Sequence, residues 1–259
     1  MAVQLAASEY GEGPSLAILH GLFGSGRNWA GIAQRLAAHH RVIALDLRNH
    51  GASPWAETMD YGEMAEDVRA TLNALGHRRY ALLGHSMGGK VAMMAALRDG
   101  NAVERLVVVD IAPVGYKPRH LAYVGAMRAL DLGAIKRRAE ADARLAPAVG
   151  DAAERGFLLQ NLIFDGGTAR WRINLPVIER SMSELVGFPT LPPAASYRGP
   201  ALFVAGGRSD YLRPEHEPEI RRLFPNARIA RIADAGHWLH AEQPQALLDI
   251  VEPFLAGSD

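Results

Sequence analysis

Short, almost uninterrupted apolar runs alternate with helical apolar periodicity along the first part of the chain, and this rhythm limits most what the chain can fold into. The runs are Leu16–His20, Val42–Leu47, Tyr80–Leu83 and Leu106–Ile111. Between them, Trp29, Ile32 and Leu36 recur on one helix face, and Met64, Val68, Leu72 and Leu75 mark a second that Gly76 closes. Strands that are apolar at nearly every position, separated by helices, imply a parallel sheet covered on both faces. The rhythm stops between about residues 112 and 196. That stretch shows helical segments such as Ala134–Leu145 and Ala152–Phe164, no convincing strand, and prolines at both ends. It resumes with Ala201–Ala205, a strand near Ala227–Ile232, and a last helix with Leu247, Ile250, Val251 and Phe254 on one face. The expectation is a mostly parallel α/β core, residues 1–113 and 197–259, interrupted by a helical cap at 114–196. Such a cap would lie over a site formed by the loops at the strand ends.

Composition narrows the function. Twenty-eight Lys and Arg balance 28 Asp and Glu, which argues against a nucleic-acid or anionic-membrane surface, since both need a basic footprint. With no cysteine, disulfides, thiolate metal sites and a cysteine nucleophile are excluded. No apolar run approaches the ~18–20 residues of a membrane span, and Met1–Gly13 has neither a basic start nor an apolar block. A cytoplasmic α/β protein is expected, and the sequence leaves its oligomeric state open.

The chemistry-bearing residues sit where this rhythm places loops. Gly84-His85-Ser86-Met87-Gly88 follows one apolar strand and opens a helix. It fits G-x-S-x-G, in which a strained strand-to-helix turn presents a serine nucleophile. His20-Gly21-Leu22-Phe23-Gly24 ends an earlier strand, where a loop lends one backbone N–H to an oxyanion hole; the residue after the nucleophile lends the other. The amides of Leu22 and Met87 are the expected pair. His237, in Ala235-Gly236-His237-Trp238 after the last strand, is the expected general base. His240 reads as packed or solvated, and His85 and His50 as structural. The acid has two candidates. Asp210 follows the strand Ala201–Ala205 and is favoured by its position, while Asp110 ends the run from Leu106 and can reach the same imidazole. Either would hold the tautomer of His237 and stabilise its charged form.

Taken together, His20–Ser25, Asn28-Trp29, Asp46–Ser53, Gly84–Lys90, Asp110–Pro113, Trp171–Leu175 and Gly236–Trp238 resemble the YbfF-type esterases of the α/β-hydrolase superfamily, over nearly the whole chain. The resemblance implies a serine hydrolase without a cofactor, acting on small-molecule esters or acyl thioesters through Ser86 and His237. It further implies Asp110 as the acid, because the position of Asp210 is not acidic in such enzymes. This chain carries both aspartates, so the choice between them stays open.

Rival readings are weaker. Gly84–Lys90 also fits G-x-x-x-x-G-K, but Val91 stands where a phosphate loop needs Ser or Thr to hold magnesium. Haloalkane dehalogenases and epoxide hydrolases carry aspartate where this chain has Ser86. A serine-triad perhydrolase or C–C bond hydrolase shares the fold, and fold does not fix substrate. A catalytically silent binding module would be expected to lack a triad member. Phe23 and Trp238 are the expected substrate-binding side chains. Phe157, Leu158, Leu162, Ile163 and Phe164 either roof the site or pack the cap onto the core. Basic runs such as Lys136–Arg138 read as solvated faces.

Overall fold

A computed structural model describes residues 1–257. Seven strands form the main sheet: β1 (Ala7–Tyr10), β2 (Ser15–Leu19), β3 (Arg41–Leu45), β4 (Tyr80–His85), β5 (Val103–Val109), β8 (Ala201–Gly206) and β9 (Ala227–Ile232). Their order is β1-β3-β2-β4-β5-β8-β9. All neighbours pair in parallel except β1, which runs antiparallel to β3 along the edge. The α/β-hydrolase architecture expected from the sequence is therefore present. β1 itself is too polar and exposed to register as an apolar run.

Alternation along each strand assigns the two faces. Leu16, Ile18, Leu83, Val107 and Val204 pack with Ile32 and Leu36 of α1 (Ala30–Leu36) and with Leu247 and Val251 of α11 (Pro244–Ala256). Ala17, Leu19, Leu82, Leu106, Val108 and Phe203 face the other way. They meet α2 (Tyr61–Ala74), α3 (Met87–Arg98) and α9 (Glu217–Leu223). Burial on both faces explains why these strands read as continuous apolar runs.

Between β5 and β8 the chain leaves the sheet as α4 (Leu121–Arg128), α5 (Arg138–Leu145), α6 (Ala152–Leu159), α7 (Leu175–Arg180) and α8 (Met182–Val186). Its buried residues, including Val124, Met127, Leu145 and Leu158, continue the apolar cluster on the α2–α3 side. One departure from expectation lies here. The supposed helix Ala152–Phe164 stops at Leu159, and β6 (Leu162–Asp165) pairs with β7 (Thr168–Trp171) as an antiparallel hairpin. Gly166 and Gly167 both adopt positive φ, the requirement of a two-residue hairpin turn, so Asp-Gly-Gly-Thr was the available signal.

Lys90 ties this insertion to the core. It is 1% exposed, and its Nζ donates to the carbonyls of Val114 and Val186, each at 3.0 Å, and to that of Gly187. It also lies over the rings of Tyr61 and Tyr116. Burial pushes its amine down to about 7, and the carbonyls and rings are what favour the charged form against that.

Candidate active site

Strand β2 connects onward to β3 on one side while β4 lies on the other, with Leu19 opposite Gly84. Crevices at the carboxyl ends of strands form at such a reversal of strand order, and here it brings the loop His20–Gly24 against Ser86.

The turn at Ser86 is one residue long, since β4 ends at His85 and α3 begins at Met87. Ser86 has φ 53° and ψ −121°, a conformation that costs about 1–3 kcal/mol. Two glycines make it feasible. A Cβ at Gly84 would overlap the Gly88 carbonyl, and one at Gly88 would overlap the Leu19 carbonyl. The turn is fixed by Ser86 N–H donating to Val109 O (3.0 Å) and Lys90 N–H donating to Ser86 O (3.1 Å).

His237 Nε2 lies 3.0 Å from Ser86 Oγ, and its Nδ1 lies 2.7 Å from Asp110 Oδ2. Asp110 is fully buried directly after β5, with φ 51°. Its carboxylate also accepts from Gly206 N–H (2.9 Å) and from the Ser209 hydroxyl. Asp210 is elsewhere, which corrects the preference drawn from its position. Ser209 points to Asp110, and Tyr211 N–H donates back to Ser209 Oγ, so the residue between them faces outward. The Asp210 side chain is 68% exposed and lies 3.9 Å from Arg119.

The loop that carries His237 is held on three sides. Tyr211 stacks on the imidazole at 4.0 Å. His85 Nε2–H donates to the His237 carbonyl at 2.8 Å. The Glu242 carboxylate accepts from the amides of Gly236 (2.7 Å) and Trp238 (3.1 Å). Burial, reinforced by the neighbouring His237 and His240, keeps His85 well below the usual histidine range. His240 stacks on Trp29 and is lowered to about 4, chiefly by burial.

Met87, first in α3, has an N–H with no intrahelical acceptor. On the facing loop, Gly24 N–H donates to Gly21 O and closes a tight turn with Phe23 at φ 63°. Phe23 N–H is taken by His50 Nε2 at 3.2 Å, whereas Leu22 and Ser86 both line the open space. Two neutral histidines thus support this loop. His50 Nδ1–H donates to Arg48 O, and His20 Nε2 accepts from Leu47 N–H (2.9 Å). Burial lowers both, His50 to about 3. The segment Asp46–Ser53 is therefore scaffolding. Asp46 accepts from the amides of Gly26 and Ala52, and buried Arg48 pairs with Asp67 at 2.6 Å.

Two clefts meet at Ser86. Phe23, Phe157, Leu158, His237 and Trp238 line the first. Met87, Tyr61, Ile111, Met182 and Leu185 line the second. Leu162, Ile163 and Phe164 line neither: they belong to the hairpin, and Phe164 is 39% exposed. Sequence reasoning missed His120, Tyr123 and Glu154, which line the first cleft from the insertion, because isolated polar residues on short helices carry no periodic signal. Among the described residues, no cluster of His, Cys, Asp or Glu is arranged to hold a metal ion, and no helix is long and apolar enough to cross a membrane.

Comparison with known proteins agrees with this fold. The profile of the alpha/beta hydrolase fold family matches residues 14–244. The mouse sn-1-specific diacylglycerol lipase ABHD11 is 43% identical over 94% of this chain and 81% of its own length. Esterase YbfF of Escherichia coli is 36% identical over 97% of this chain and 96% of its own. The solved structure of a marine microorganism esterase superposes with a TM-score of 0.94 at 36% identity, covering 98% of this chain and all of that one. With this fold, this strand-end constellation and relatives named as esterases and lipases along nearly its full length, the chain belongs to the α/β-hydrolase fold family.

Proposed function

We propose that this chain is a serine hydrolase that cleaves carboxylic esters or acyl thioesters of small molecules through an acyl-enzyme intermediate. The observation that carries the reading is the unbroken series Ser86 Oγ, His237 Nε2, His237 Nδ1, Asp110 Oδ2, with spacings of 3.0 and 2.7 Å. In this reading His237 removes the Ser86 proton as Oγ attacks the carbonyl, and Asp110 holds the imidazole in the tautomer that accepts it. The oxyanion accepts hydrogen bonds from the amides of Leu22 and Met87. His237 then protonates the departing alcohol or thiol, and water repeats the sequence on the acyl-enzyme. Relatives named esterase and lipase support the ester-bond class. Phe23 and Trp238 supply apolar wall beside the reacting centre.

Fluorophosphonate labelling of the purified protein, with the adduct located by peptide mass spectrometry, tests the reading. An adduct on Ser86, formed as turnover of a p-nitrophenyl ester disappears, is the expected result. A folded, unlabelled protein with no esterase or thioesterase turnover overturns it.

A further inference from the structure

The two clefts at Ser86 are not equivalent. A leaving oxygen must lie against His237 Nε2 to receive its proton, and of the two clefts only the first has His237 in its wall. The first cleft thus takes the leaving alcohol. The second, walled by Met87, Ile111, Met182 and Leu185, takes the acyl group.

The leaving-group cleft carries two polar groups that the triad does not use. His120 stands at the start of α4 and lines both clefts. Phe23 and Tyr123 pack edge-on against its ring, each with centroids 6.0 Å apart. Among the described residues neither ring nitrogen has a hydrogen-bond partner, and neither is sealed from solvent, so both stay available to a molecule in the cleft. Burial and the neighbouring His237 and Arg119 lower it to about 4, so it meets a ligand as a neutral donor and acceptor. Among the described residues, Glu154 is the one carboxylate in the cleft wall. Tyr123 O–H donates to its Oε2 at 2.6 Å, which fixes the side chain and leaves Oε1 uncommitted among the described residues. A fixed carboxylate oxygen accepts strongly from a hydroxyl and repels a phosphate or carboxylate.

We propose that His120 and Glu154 are the specificity-determining residues of a leaving-group subsite that selects uncharged, hydroxyl-bearing alcohols and rejects anionic ones. The assignment rests on the Ser86–His237 reading above. A site built to pair a substrate hydroxyl discriminates against the analogue without one, because its own polar groups are then stranded.

Three butyrate esters with a common acyl group separate the terms: the propyl ester, the 1-glyceryl ester and the glyceryl ester carrying a 3-phosphate. For the wild-type protein, kcat/KM is expected to favour the glyceryl ester over each of the others by about tenfold or more, the scale of one hydrogen bond. His120→Phe should bring the glyceryl-to-propyl ratio toward one. Glu154→Gln, which keeps an acceptor for Tyr123, should raise the phosphate ester relative to the glyceryl ester by about tenfold. Equal wild-type rates on all three esters, or ratios unchanged in both variants, overturn the subsite while the turnover itself leaves the hydrolase reading intact. If no ester turns over and Ser86 takes no label, both fall. A variant that folds poorly does not spare the proposal, because the wild-type ratios test it without any substitution.

Discussion

Strands β2 to β5 and β8 bury four to six residues each, with apolar side chains on both faces, whereas none of α4 to α8 in the insertion exceeds eight residues. Helices that short are marginal alone in water, so tertiary ties hold the insertion together. Trp171 Nε1–H donates to Met127 O at 3.2 Å and Arg138 to Leu162 O at 2.8 Å. Asn161 Nδ2–H reaches across to Phe23 O at 2.8 Å, and Asn174 N–H to Asn49 O at 3.0 Å. The strand ends of the sheet hold Ser86 and Asp110 at positive φ, whereas the insertion contributes part of the walls of both clefts.

That contrast can be broken by experiment, most sharply at its catalytic end. Ser86→Ala is expected to lower kcat by about 10⁶-fold, the scale seen for serine proteases, with the thermal midpoint retained. A loss of that size from any single substitution in the insertion would end the division of labour. Next, Asp110→Asn should cost about 10⁴-fold in kcat, while exposed Asp210→Asn should stay within about twofold; pH-rate profiles on folded samples compare them.

Acid should strike the sheet side. His50 is held at about 3 in the folded protein against 6.5 when free, so between those values the unfolded chain binds the extra proton. Stability is then complete above pH 6.5 and falls by several kcal/mol as pH drops toward 3. His20 and His85 act in the same direction. Urea midpoints at pH 7 and 4.5 check this, and His50→Gln should flatten the slope.

The smallest step compares packing with a single tie. Phe203→Ala, under the sheet at 0% exposure, should cost about 3–5 kcal/mol. Trp171→Phe removes one hydrogen bond in the insertion and should cost about 1 kcal/mol in a urea titration.

The same contrast explains what could be read from the sequence. Leu16–His20 and Leu106–Ile111 announce buried strands because two covered faces demand apolar side chains at every position. The turn at Ser86 was legible because sterics leave glycine little competition at 84 and 88. Asp110 against Asp210 was not, because which side chain turns inward after β8 depends on Ser209 pairing across to the neighbouring strand end. Strand β6 hid because Leu162–Phe164 prolong the apolar run of the helix before them, although Asp-Gly-Gly-Thr directly after marked a turn. His120 and Glu154 left no trace, since their meaning exists only once the insertion folds back over Ser86.

Lys90 has a consequence beyond packing. By gathering the carbonyls of Val114, Val186 and Gly187 around one nitrogen, it brings both ends of the insertion to a single neck. Seen from the sheet, the whole stretch between behaves as a short closed loop, and loop length adds little to the entropy of closure. Chain length above that neck is therefore a small entropic term, and what limits exchange of the roof is its contacts with the floor, such as Asn161 to Phe23 O and Asn174 to Asn49 O.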